Sequence, residues 1–323
     1  MNSSANSISI SPSRTHSWLF LLLMMSSVFI GMAPIFVRLT QMGPLSMGFH
    51  RFFLSLPLIW GWASVEKRFN PLNTRLLDRK TFSMMLLAGI FFAVDIGLWN
   101  ASAKFTRIAN AALFNNLAAF FVPFILWIFF AQRPKLIFSL AVITALVGCF
   151  FLTKEDGTVT IKLLWGDIFA ILSAVAASGY VIIVKRLRER VATSLILWWT
   201  GIVCATCLGF FALIAGENLL PPTPQDWLIL VGQAIFVHIG GQGISAFCLG
   251  MLSAPFTTLV MLMASAVASG MAWILFSEAM SPVKISGGLL IFVSILAAHL
   301  NEKKTSLGFC AKRFLFDKNR PVA

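Results

Sequence analysis

Few side chains in this sequence can do chemistry, and those few sit in unusual company. Asp95 interrupts FFAVDIGLWN (residues 91–100), inside a run that is almost wholly apolar from Phe82 to Trp99. His50, Arg51 and His238 are likewise flanked by apolar residues, and Asn100, Asn110, Asn115, Asn116 and Gln242 add amides to similar surroundings. Such groups can pair, pass a proton or hydrogen-bond a small polar molecule. They do not spell a catalytic set. There is no H-E-x-x-H, no G-x-S-x-G, no pair of aspartates deep in apolar runs, and no phosphate loop of the form G-x-x-x-x-G-K-[ST]. Cys204 and Cys207 form a C-x-x-C within VCATCLG. No His or second cysteine pair stands nearby to complete a metal site, so neither a metal nor a cofactor is expected.

The surroundings of these groups follow from composition. Of 323 residues, 58% are hydrophobic and only 11% charged. A soluble domain is nearer half apolar and a quarter charged, so the solvent for most of this chain must be lipid. The 31 phenylalanines against a single tyrosine suit contact with hydrocarbon. A net charge of +13 raises the question of nucleic acid. The basic residues, however, fall in short loops and tails beside apolar runs, the pattern of a membrane protein, and no basic stripe carries interleaved aromatics that would stack bases.

Apolar runs near the length of a bilayer crossing, about 20 residues, recur at 17–38, 45–63, 82–102, 106–130, 137–153, 163–184, 194–215, 228–249, 254–277 and 283–300. Lys and Arg are about threefold commoner on one side, in the 64–81, 133–135 and 185–193 segments and the tails, which predicts both termini in the cytoplasm. Residues 1–16 read as a polar tail and 301–323 as a basic one.

The runs form a repeat. LWIFFAQ at 126–132 aligns with AWILFSE at 272–278, each followed by a proline, Pro134 and Pro282. SWLFLLL at 17–23 aligns with LWGDIFA at 164–170 at nearly the same offset. Units 17–153 and 163–300 thus hold five spans each. Because five is odd, the second unit must cross in the opposite sense. The expected fold is an all-α integral membrane protein of ten transmembrane helices in two inverted five-helix repeats, an architecture typical of secondary transporters.

Four stretches carry a family resemblance: RLTQMGPLSMGFHRFFLSLP at 38–57, TRIANAALFNNLAAFFVPFILWIFFAQRP at 106–134, WGDIFAILSAVAASGYVIIVKRL at 165–187, and SAPFTTLVMLMASAVASGMAWILFSEAMSPVKISGGLLIFVSILA at 253–297. In order and spacing the chain resembles the drug/metabolite transporter superfamily, in its EamA branch. The resemblance implies ten helices, cytoplasmic termini and a small-molecule substrate. Where the family's first-half exit is usually acidic this chain has Gln132, leaving Glu278 as its counterpart in the second half.

Within this frame depth sorts the candidates. An ionisable group at the centre of a span costs roughly 2.5–3.5 kcal/mol on insertion scales, so it persists only facing protein or a wet cavity. Asp95 and Arg51 fall at similar depth in the outer half, and Arg51 is the expected ion-pair partner of Asp95. If helix movement separated them, the protonation of Asp95 would change and couple a proton to transport. Asn115, Asn116, His238 and Gln242 fall near the midplane; His238 and Gln242 share a face at i, i+4, as do Asp95 and Trp99. Asp95, Trp99, Asn115, Asn116, His238 and Gln242 are the candidate substrate-binding residues. Small-residue faces in SAVAASG (173–179) and ASAVASG (264–270) suit close or sliding helix contacts, and GGQG (240–243) weakens the helix beside His238.

The expected function is secondary transport of a small metabolite, an amino acid or a related polar or amphipathic compound, by alternating access in the cell's inner (plasma) membrane. The partners are that substrate, membrane lipid and a candidate coupling proton, with no nucleic acid. The competing readings are an intramembrane lipid-modifying enzyme and a non-transporting receptor or subunit.

Overall fold

A computed structural model describes residues 12–69, 78–105, 108–153, 161–277 and 281–317. Among the described residues every regular element is a helix. In chain order these are α1 (Pro12–Gly31), α2 (Ala33–Leu39), α3 (Pro44–Phe53), α4 (Leu56–Phe69), α5 (Arg79–Phe105), α6 (Ile108–Asn115), α7 (Ala118–Phe130), α8 (Leu136–Thr153), α9 (Ile161–Leu187), α10 (Thr193–Ile214) and α11 (Pro224–Gly232). A π-helical segment (Gln233–Gly243) then leads into α12 (Ile244–Leu249), α13 (Ala254–Met261), α14 (Met263–Phe276) and α15 (Pro282–Asp317).

Eight helical stretches among the described residues are long and apolar enough to cross a membrane: 17–39, 79–102, 111–130, 164–187, 193–214, 224–249, 254–276 and 282–300. The other two expected spans are helical but different in kind. Residues 136–152 form a shorter apolar helix, and the second span is divided into α3 and α4 at Leu54–Ser55. Glu278 lies outside the described residues.

The division at Leu54–Ser55 has a local cause. Pro57 has no N–H to offer the Phe53 carbonyl four residues back, and the Phe52 carbonyl accepts both the Ser55 N–H at 3.1 Å and the Ser55 hydroxyl at 2.7 Å, which tightens the turn. Similar tightened turns separate α1 from α2 at Met32, α6 from α7 at Asn116–Leu117, and α13 from α14 at Leu262. Four apolar helical stretches are therefore interrupted along their length.

The repeat seen in the sequence reappears in the backbone. Helices α6 and α13 start at Ile108 and Ala254, and α8 and α15 start at Leu136 and Pro282, the same 146-residue offset. Helices α7 and α14 both end on a non-glycine residue in the left-handed region, Ala131 (φ 55) and Ser277 (φ 54). Their amides bond the Leu126 and Ala272 carbonyls, again 146 apart.

Packing runs between the two units. Helix α5 lies along α9, α8 along α15, α10 against α3, α4 and α5, and α1 against the π segment, α12 and α14. Glycines permit the closest approaches. A Cβ on Gly148 would lie 2.6 Å from the Gly287 carbonyl oxygen, and one on Gly287 2.5 Å from that of Gly148. The Ser26 hydroxyl donates to the Gly241 carbonyl at 2.6 Å, joining α1 to the π segment. Inside lie two apolar clusters, one around Phe52, Met85, Phe92, Leu197 and Leu208, the other around Leu23, Ala145, Phe256, Leu259 and Ile291. Outside, Trp60, Phe129, Leu136, Leu213, Ile274 and Leu289 are exposed. An apolar exterior on this scale would be a liability in water and is what a lipid-facing surface requires.

Candidate substrate site

The polar groups of the first cluster converge from several broken or widened helices. Arg51 sits in the last turn of α3, where the carbonyl end of the helix favours a cation. Helix α3 itself starts at Gly43–Pro44, with proline in the first turn, and the Glu217 carboxylate accepts the Ser46 N–H at 2.8 Å. Asp95 lies two-thirds along the unbroken α5 and is buried. Asn115 is the last residue of α6, just before the turn at Asn116–Leu117. His238 and Gln242 come from the π segment, whose wider turn brings an extra residue into the interior and is common at functional sites.

These residues do not pair as the sequence suggests. Asp95 Oδ1 accepts from the Ser173 hydroxyl of α9 at 2.6 Å and from Asn115 Nδ2 at 3.2 Å, and the same Asn115 nitrogen donates to Ser173 Oγ at 2.6 Å. Arg51 is near enough for its charge to act on Asp95, yet the two make no ion pair within 4 Å. Side chains of α6 and α9 thus hold the carboxyl group by hydrogen bonds, and the expected Arg51–Asp95 pairing is present only as a neighbouring charge. Arg51 instead lies 5.7 Å from the Phe52 ring, and its Nε is buried with no hydrogen-bond partner.

His238 is fully buried. Its ring meets Phe52 edge-on at 4.7 Å and Phe92 in a stacked arrangement at 6.5 Å, and neither ring nitrogen has a partner. Phe92 stacks in turn on Tyr180 at 4.3 Å. The Tyr180 hydroxyl lies beside the Gln242 amide without completing a hydrogen bond to it. Tyr180 and Gln242 line a cavity of about 70 Å³ together with Val184, Ser245, Thr257 and Met261.

The remaining candidates fall elsewhere. Asn116 points away from Asn115, donating to Ser265 of α14 at 2.7 Å and to Cys149 Sγ of α8 at 3.5 Å. Trp99 is half-buried, one turn from Asp95, and makes no ring contact or hydrogen bond with the cluster. Asn100 donates to the Pro44 carbonyl at 2.8 Å, tying α5 to the start of α3. His50 bonds the Ser46 carbonyl through Nδ1 at 2.8 Å. The side chain of Asn110 lies outside the described residues. Cys204 is buried, with its thiol 3.5 Å from the Gly89 carbonyl, and no group of three metal-ligating side chains occurs among the described residues.

Two residues of the cluster escaped the sequence reading. Ser173 sits in a stretch read as a small-residue packing face. Tyr180 carried a usable signal: it is the only tyrosine in a chain with 31 phenylalanines, and it lies within a span.

Apolar helices of bilayer length, packed around an apolar core that encloses a polar cluster, define a multi-pass membrane protein. The chain belongs to the EamA-like transporter family, whose model matches residues 17–154 and again 164–299. It is similar to the pseudopaline exporter CntI of Pseudomonas aeruginosa, with the same identity to the proteins of strains UCBPP-PA14 and PAO1. In each case 22% of 228 residues are identical, covering 70% of this chain and 78% of the relative. A protein solved by crystallography shares the fold with a TM-score of 0.73 at 16% identity, over 90% of this chain and 99% of its own.

Proposed function

We propose that this protein is a secondary transporter that moves a small polar or amphipathic metabolite, such as an amino acid or a relative, by alternating access. The observation that carries the reading is the buried cluster of Arg51, Asp95, Asn115, Ser173, Tyr180, His238 and Gln242, drawn from both matched units and set among apolar helices. Buried polar groups left partly unsatisfied in a lipid-solvated fold are costly, and a solute path is the ordinary reason to keep them.

Transport would come from the units at 17–153 and 163–300 rocking as inverted five-helix repeats, with both termini in the cytoplasm of an inner (plasma) membrane. Support for the symmetry comes from the shared helix-start offset and from the exchange pattern of packing, in which α1 meets the π segment as α9 meets α5. The exporter among its relatives favours outward movement. Asp95 is the candidate proton carrier, since its hydrogen-bond donors come from helices of both units.

The test is uptake and efflux of a labelled metabolite panel in proteoliposomes of the full chain, with and without an imposed pH gradient. Saturable movement of at least one solute is expected. Covalent change of a solute without movement, or no movement of any, would overturn the reading.

A further inference from the structure

The cluster holds an imbalance that the transport reading does not use. Asp95, the acidic group, already has two donors on one oxygen. The polar atoms around it are unmet: Arg51 Nε, the Tyr180 hydroxyl and both ring nitrogens of His238 are buried without a hydrogen-bond partner. Tyr180 on α9 and His238 on the π segment both lie within range of the Arg51 charge on α3, with Phe52 against Arg51 and His238 and Phe92 against His238 and Tyr180. A permanent cation and two neutral polar groups with unmet hydrogen-bonding capacity, beside a carboxyl group already engaged by other donors, are half of a recognition pair.

We propose that Arg51, Tyr180 and His238 form an anchor for a carboxylate carried by the transported molecule, with Arg51 supplying the charge and the other two supplying hydrogen bonds. The proposal rests on the transporter reading above. The planar guanidinium matches a carboxylate with two parallel N–H···O bonds, whereas a lysine there would act only as a point charge. Of the three anchor residues only Tyr180 borders the small cavity of about 70 Å³, beside Gln242, so Arg51 and His238 would meet the carboxylate only in a state in which the helices have moved. The remainder of the molecule would lie along the Phe52 and Phe92 rings once the helices part.

The experiment is thermal unfolding of the purified full chain in phosphatidylcholine nanodiscs, titrated with sodium propionate, propionamide or inorganic phosphate at matched ionic strength. Propionate is expected to raise the melting temperature in a saturable way, with propionamide and phosphate giving no such shift. In Arg51→Gln the apparent affinity for propionate should fall at least tenfold. Arg51→Lys, which keeps the charge, should retain part of it, and Tyr180→Phe should lose a few-fold. Equal stabilisation by propionate and propionamide, no saturable propionate shift in the unmodified protein, or full propionate affinity in Tyr180→Phe and Arg51→Lys alike would overturn the anchor. Should Arg51→Gln not fold, the Tyr180→Phe and Arg51→Lys titrations decide alone. Proteoliposomes keep this separate from the transport reading: movement of solutes regardless of a carboxylate would sink the anchor and leave transport standing, whereas propionate binding with no solute movement would do the reverse.

Discussion

At the residue scale, the central fact is that Asp95 is held by neutral donors. The Ser173 side chain reaches it from α9 of the second matched unit, and the Asn115 side chain from α6 of its own unit. Ser173→Ala should cost on the order of 1 kcal/mol in stability, the scale of interhelical hydrogen bonds in membranes, and is read as a lower unfolding temperature in detergent. Asp95→Asn tests a different property. If Asp95 couples a proton, this variant should insert normally and exchange solute across proteoliposomes, yet lose accumulation driven by a pH gradient. Unchanged accumulation would remove the coupling role. Asn116, by contrast, belongs to a separate contact with Ser265 and Cys149. Asn116→Ala should therefore leave solute recognition intact and act through stability.

At the element scale, two helix ends and one helix crossing invite substitution. Ala131 and Ser277 hold left-handed backbone conformations that carry a penalty of about 1–2 kcal/mol for residues with a Cβ. Glycine has no such penalty. Ala131→Gly is therefore expected to raise stability by up to about 1 kcal/mol once the added chain entropy is counted, measurable as a higher melting temperature. An unchanged or lower one would mean that the methyl group makes a compensating contact. At the α8–α15 crossing the limit is space. A side chain on Gly287 meets the Gly148 carbonyl and the Leu152 amide, both backbone atoms that cannot rotate away. Gly287→Leu should destabilise by about 1–3 kcal/mol and reduce folded protein in the membrane, while Gly288→Ala, whose new Cβ would meet only the Ala266 methyl at 4.0 Å, should be tolerated.

At the scale of the whole molecule, the proposal that carries most weight is orientation. The loop between α10 and α11 contains Asn218, which is exposed. With both termini in the cytoplasm this loop faces outward. A single cysteine at Asn218 in a cysteine-free background should react with an impermeant thiol reagent added to intact cells. Reaction only after permeabilisation would reverse the assignment. The same loop region is tied to the α2–α3 turn. Asp226 accepts from the Thr40 hydroxyl at 2.7 Å and from the Thr223 hydroxyl at 2.6 Å, and Glu217 caps α3. The Thr40 contact ties the α2–α3 turn to the start of α11, the Glu217 contact ties the α10–α11 loop to the start of α3, and the Thr223 contact caps α11 itself.

Much of this protein is determined by short-range features that a sequence displays directly. Apolar run length dictates which segments enter lipid, because an unsatisfied backbone there must be helical. The 146-residue offset of LWIFFAQ and AWILFSE was visible as letters before it reappeared as paired left-handed helix ends at Ala131 and Ser277. Asp95, Asn115, His238 and Gln242 were legible as candidates because polar groups are rare in such runs. Depth along a span, however, does not tell which way a side chain points. Adjacent residues on a helix differ by about 100° in direction, so Asn115 and Asn116 serve different helices, and Arg51 and Asp95 share a depth without pairing. That choice is made by what the neighbouring helices offer. Ser173 and Asn115 reach the aspartate with hydrogen bonds, and the arginine rests over the Phe52 ring. Only the packed structure decides it, because the competing partners lie on helices distant in sequence.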